Sequence, residues 1–153
     1  MKIGDILTED LVIASLRGRT KNELIEELAR VVSAHRAEID HDRLVEALEE
    51  RERLNSTALG EGVAIPHGKL PGLKQVVAAF GRSLEGVDFQ SLDGKPTHLF
   101  FLLAAPEDSA GAHLKALARI SRLLKDDAFR ARLMKVADAH ELYAAIRDED
   151  ARY

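Results

Sequence analysis

The chain has 153 residues, 46% hydrophobic and 31% charged, with a formal net charge of -4 and no cysteine. One hydrophobic core can hold a chain of this length, so a single domain spanning residues 1–153 is expected. The interspersed, slightly acidic charge excludes the basic footprint of a nucleic-acid binder. The missing cysteines exclude disulfides, thiolate zinc sites and cysteine nucleophiles.

Taken in chain order, "LVIASL" (11–16) is a β-branched run that stops at the turn "RGRT" and reads as a strand. Thr20 caps "KNELIEELARVV", in which Leu24, Leu28, Val31 and Val32 recur at helical spacing. A second helix, "DHDRLVEALEERERL", is capped by Asp40 or Asp42. "GVAI" reads as a brief strand stopped by Pro66, which has no N–H to give a ladder.

"QVVAAFGRSL" and "THLFFLLAA" read as longer strands, joined by the polar "VDFQSLDGKP" with its Asp-Gly turn signal. Residues 99–105 are apolar on both faces, as a central strand covered by helices on each side would be, and Pro106 ends the run. Asp108 or Ser109 caps "AGAHLKALARISRLLK", where Leu117, Ile120 and Leu124 form one stripe. "DDAFRARLMKVA" and "DAHELYAAIRDE" are two shorter helices. This order predicts an α/β, α+β-like sandwich: one mixed sheet with helices packed on both faces.

The longest apolar run, "LFFLLAA", is far shorter than the roughly 20 residues of a membrane helix. "MKIGDILTEDLV" lacks the basic start and apolar run of a signal peptide. A soluble, cytoplasmic protein is expected.

The stretch "GEGVAIPHGKL" (60–70) has the look of a phosphate loop but not its spacing. Gly62 and Gly68 are separated by five residues, and Leu70 stands where a magnesium-binding hydroxyl belongs. Within it His67 follows a strand end, a place where α/β sheets keep their sites. Pro66 restrains the backbone before it, and Gly68 behind it would let a partner come close. A neutral imidazole there is a nucleophile or proton carrier; the other reading is a surface-loop histidine with no task.

His113, Leu117, Ile120 and Leu124 fall at i, i+4, i+7 and i+11, so His113 lies on the inward stripe of its helix, in the first turn. It either faces an anion site beside the helix N-terminus or is a core-edge histidine bonded to a carbonyl. Leu44, Leu48 and Arg51 share a face at i, i+4 and i+7, while Arg53 points elsewhere. A guanidinium on an apolar face needs a partner, either a carboxylate or a phosphoryl group. Ser56 and Thr57 follow as possible hydroxyl donors, and Lys69 is a phosphate or partner contact or simply a solvated lysine. His35, His41, His98 and His140 show no zinc-helix spacing, HExxH and GxSxG are absent, and neither metal nor cofactor is expected.

"RERLNSTALGEGVAIPHGK" (51–69), continued by "LDGKPTHLFFLLAAPEDSAGAHLKALARISRLL", resembles the signature of type-2 enzyme IIA of the bacterial phosphoenolpyruvate-dependent phosphotransferase system, the fructose, mannitol and nitrogen-regulatory group. The resemblance covers most of the chain and implies a mixed sheet of about five strands between helices. It implies that His67 is the phosphoryl acceptor, a tele-phosphohistidine intermediate charged by a histidine-containing phosphocarrier protein. It also implies that His113 supports the phosphorylated ring, and that Arg51, Ser56 and Thr57 bind the phosphoryl group.

Leu59, Glu61 and Asn55 depart from the family pattern, Asn55 standing where glycine is frequent; a left-handed Asn55 would preserve the turn. "IPHGKL", and the lack of a fused permease or phosphocarrier domain, resemble the nitrogen-regulatory branch, which relays its phosphorylation state to regulatory target proteins. The alternative is a fructose- or mannitol-type subunit, of the transferase class, serving a membrane permease component. A reading from another class is an interaction module that never turns over phosphate.

Overall fold

In the computed structural model, which describes residues 1–153, the first β-branched run forms a strand of two residues only, β1 (Val12–Ile13). Leu11 belongs to a preceding 3-10 turn (Glu9–Leu11), and beyond β1 the Leu16 amide donates to the Arg82 carbonyl at 2.8 Å without extending the ladder. Helix α1 (Lys21–His35) starts where the Thr20 hydroxyl accepts the Glu23 amide at 3.2 Å. Helix α2 (His41–Leu54) starts where the Asp40 carboxylate accepts the Arg43 amide at 3.0 Å. Each cap satisfies one amide that the first helical turn leaves without a carbonyl.

Five more strands follow: β2 (Ala58–Gly60), β3 (Val63–Ala64), β4 (His67–Leu70), β5 (Val77–Val87) and β6 (Thr97–Pro106). The sheet therefore has six strands where about five were expected, in the order β1-β5-β6-β3-β2 with β4 also on β6. The additional short strands come from the glycine-rich stretch. There β2 and β3 form an antiparallel pair, and β3 and β4 run parallel to β6 in one register, Val63 opposite Leu99 and His67 opposite Leu103. Pro66 thus interrupts the strand rather than ending it: its missing N–H opens the ladder, and pairing resumes one residue later.

The last third is α3 (Ala110–Leu124), α4 (Asp127–Lys135) and α5 (Ala139–Asp150). Ser109 holds the N-cap position of α3 without a capping side-chain bond, whereas Asp126 and Asp138 cap α4 and α5. Helices α1 and α2 pack together, with α1 on β5 and α2 on β4; α3 packs on β6, α5 on β1, and α4 on both of its neighbours. Helices flank the sheet on both faces, as the order of elements predicts.

Strand β6 is central, bonded to β5 on one side and to β3 and β4 on the other, and only His98 of its ten residues is not fully buried. Phe101 meets Phe80 and Phe100 meets Phe89 edge to face, with ring centres 5.0 and 5.2 Å apart. Burying each such ring is worth about 1.5–3 kcal/mol, so β6 is a stable base on which β4 hangs as an edge.

Candidate functional site

His67 is the first residue of β4, at the start of a strand instead of in a loop past one. Just before it, the Ile65 amide donates to the Thr57 carbonyl at 3.1 Å. The Ile65 carbonyl accepts from the Nδ1 of His67 at 2.7 Å. A carbonyl only accepts, so Nδ1 carries the proton and the lone pair lies on Nε2. Burial holds the imidazole below its usual pKa, helped by the Arg51 charge and opposed by the Ile65 bond and the charge of Glu52. The ring is neutral at physiological pH and nucleophilic at one atom.

Gly68 admits the protein's own helix, not a partner: an added Cβ would stand 3.0 Å from the Ala47 Cβ and 3.3 Å from the Ala47 carbonyl oxygen. This close seating of α2 on β4 brings Arg51, one turn beyond Ala47, beside the imidazole. Arg51 is half-buried and donates from Nη1 to the Asn55 carbonyl at 3.0 Å and to its side-chain oxygen at 2.9 Å. It forms no ion pair with a carboxylate, and Arg53 is exposed. Asn55 is extended (φ -170°, ψ 162°) rather than left-handed, which is what returns its side chain to Arg51.

His113, in the first turn of α3, is 7% exposed. Its ring meets that of His67 edge to face, centres 5.2 Å apart and planes at 77°. Burial, then the charges of His67 and Lys69, hold it below its usual pKa. Its Nε2 is buried with no hydrogen-bond partner. Buried polar atoms are nearly always paired, so this nitrogen beside the His67 ring is a candidate donor or acceptor for a bound group.

Ser56 and Thr57, expected as donors to a phosphoryl group, instead donate inward. The Ser56 hydroxyl bonds the Phe89 carbonyl at 2.6 Å and accepts the Ala58 amide at 3.1 Å. The buried Thr57 hydroxyl donates to Glu52. The left-handed turn lies further on, at Gly60 (φ 87°), Glu61 (φ 56°) and Gly62 (φ 77°). Glu61 is unusual there for a side chain with a Cβ, and its amide is held by the Asp93 carboxylate at 3.1 Å. Lys69 is exposed on β4, and His35, His41, His98 and His140 make their contacts elsewhere.

Sequence reasoning missed Glu52, which is 8% exposed. Its signal was present: Leu44, Leu48 and Glu52 fall at i, i+4 and i+8, but the residue is hidden between two arginines in a charged run.

The family model described as "Phosphoenolpyruvate-dependent sugar phosphotransferase system, EIIA 2" matches residues 5–149, and the chain belongs to that family. A nitrogen regulatory protein of Bradyrhizobium diazoefficiens is 42% identical over 149 residues, covering 95% of each chain. The fructose-specific EIIABC component of Bacillus subtilis is 37% identical over 98% of this chain, which spans only 24% of that protein. Among solved structures, the nitrogen regulatory protein IIA-Ntr of Neisseria meningitidis superposes with a TM-score of 0.88 at 38% identity, over 94% of this chain and 98% of that one. No helix of the present chain is long and apolar enough to cross a membrane.

Proposed function

We propose that the protein is a phosphoryl carrier whose His67 takes a phosphoryl group on Nε2 from the phosphohistidine of a histidine-containing phosphocarrier protein, and signals its phosphorylation state to regulatory partner proteins. The observation that carries this reading is the 2.7 Å bond from His67 Nδ1 to the Ile65 carbonyl. It leaves one nitrogen to attack, and that nitrogen needs no base because it has no proton to lose. The new Nε2–P bond forms as the N–P bond of the donor breaks, and the donor nitrogen keeps the electron pair. Catalysis is then positioning and charge stabilisation. Arg51 would turn a guanidinium donor toward the phosphoryl oxygens, and the unpartnered nitrogen of His113 would bond one of them. Ser56 and Thr57 hold the loop in this reading.

The test is incubation with enzyme I, the phosphocarrier and phosphoenolpyruvate. An acid-labile adduct should form on the wild type and be absent from His67→Ala; no adduct on the wild type would favour an interaction module without turnover. The 42% identity to a nitrogen regulatory protein supports the regulatory branch. The likeness to a fructose-specific component supports a second reading, transfer from His67 to a membrane permease component, which sugar-dependent loss of the adduct in the presence of that component would reveal.

A further inference from the structure

We infer that Glu52 is a positioning residue for the His67 imidazole, acting through a hydrogen-bonded chain that runs from Lys21 through Thr57 and Ile65. The inference rests on His67 being the working residue of the site.

Each link is direct. Lys21, the first residue of α1, pairs with Glu52 at 2.8 Å, the two side chains being 15% and 5% exposed. The Glu52 carboxylate accepts the Thr57 amide at 3.1 Å and, at its other oxygen, the Thr57 hydroxyl. The Thr57 carbonyl accepts the Ile65 amide at 3.1 Å, and the Ile65 carbonyl accepts Nδ1–H of His67 at 2.7 Å. The Lys21 ammonium also lies 4.7 Å from the centre of the Phe89 ring, whose carbonyl receives Ser56. Helix α1, the end of α2, and the segment leading to β4 are therefore joined at one buried carboxylate.

A buried carboxylate carries a desolvation cost that only donors can offset, and Glu52 has three, the Lys21 ammonium and the amide and hydroxyl of Thr57. What the carboxylate adds is negative charge near an imidazole. Charged and titratable groups acting on His67 and its neighbour are Arg51, Glu52, His113 and Lys69, and Glu52 is the one acid among them. It opposes Arg51 and burial, keeping Nε2 basic enough to attack, while the chain holds the ring's tautomer and direction. Lys21 tempers that charge from the far side.

The experiment uses the full chain with 15N-labelled imidazoles and reads the titration midpoint and tautomer of His67 together with the rate of adduct formation. In Glu52→Gln the midpoint moves down and the adduct forms roughly tenfold more slowly, the scale of a small misplacement of reacting atoms. In Lys21→Met, which leaves the carboxylate untempered, the midpoint moves up. Opposite directions from two partners of one ion pair are not what loss of structure produces. A folded Glu52→Gln with the wild-type midpoint and tautomer overturns the inference, as do shifts of both variants in one direction. If Glu52→Gln does not fold, Lys21→Met and Thr57→Val supply the same readings, and no change in both overturns it equally. A wild type that forms no adduct, yet shows these opposed shifts, sinks the phosphoryl reading and leaves the chain standing.

Discussion

Gly68 lies so close beneath Ala47 that a β-carbon on it would meet the alanine's at 3.0 Å, with the Ala47 carbonyl carbon at 3.2 Å. The contact is with the Cβ and backbone of Ala47 and cannot be relieved by a rotamer change. Gly68→Ala should therefore cost about 1–3 kcal/mol of stability, the usual range for an overpacked core. It should also slow adduct formation, because α2 and its Arg51 move with the contact. Gly111→Ala, where nothing lies within 4 Å of the added carbon, should stabilise α3 by up to about 1 kcal/mol. Urea denaturation of the two variants checks both signs, and an unaffected Gly68→Ala would show that the helix is not seated on the strand as described.

His113→Phe separates function from packing. An aromatic ring in edge contact with His67 is kept, though a somewhat larger one, and the orphan Nε2 is removed. Relief of an unsatisfied buried polar atom is worth on the order of 1–3 kcal/mol, so the variant should melt no lower than the wild type. The adduct should nevertheless form more slowly or hydrolyse faster. Unchanged transfer kinetics would mean that His113 only packs.

Arg51→Ala should reduce adduct formation more than Arg53→Ala. Arg51 is half-buried and held toward the site by Asn55, whereas Arg53 is exposed. Asn55→Ala should have a milder effect in the same direction, since it frees the guanidinium without removing it. Equal loss in the two arginine variants would contradict the placement of Arg51.

The pH dependence follows from directions alone. His67 and His113 both sit below the usual histidine value, chiefly through burial. The unfolded chain then binds more protons than the folded one as pH falls below about 6.5, so stability rises with pH in that window. Their contribution is complete above the unfolded value and is lost as pH falls toward their depressed folded values. Adduct formation should accordingly stay flat through pH 6.5 and decline only at lower pH, where Nε2 becomes protonated. A pH–rate profile with its acid limb at or above the ordinary histidine value would contradict the burial of the ring.

Asp93 latches the left-handed turn that joins β2 to β3. Its carboxylate, held below its usual range by the Lys95 amide, Ser91 and the Glu61 amide, is ionised wherever the protein is folded near neutrality. Asp93→Ala should leave the sheet intact but speed hydrogen exchange at the Glu61 and Lys95 amides. Glu61→Gly, in contrast, should relieve the left-handed position while leaving the Asp93 bonds, and so the protection, in place.

Much of this was legible in the chain. Thr20 marks a helix start because capping is local, and residues 99–105 declare a central strand because burial on both faces tolerates such a run. The stretch around His67 is recognisable because its residue types recur in a family. Less legible were β2 and β4, which are too short to show periodicity and exist because β6 offers them partners. The extended Asn55 and the inward Ser56 and Thr57 went unread for a related reason: short polar side chains take whichever acceptor the fold supplies.

By itself the sequence determined the class of the fold and singled out His67 as the candidate acceptor, since both rest on patterns within a few neighbouring residues. Only the tertiary structure decided which nitrogen of His67 is free, that a helix and not a visitor fills the space at Gly68, and that a buried Glu52 stands behind the site. Each of these depends on groups distant along the chain meeting within hydrogen-bonding or van der Waals reach, and such meetings are decided by packing.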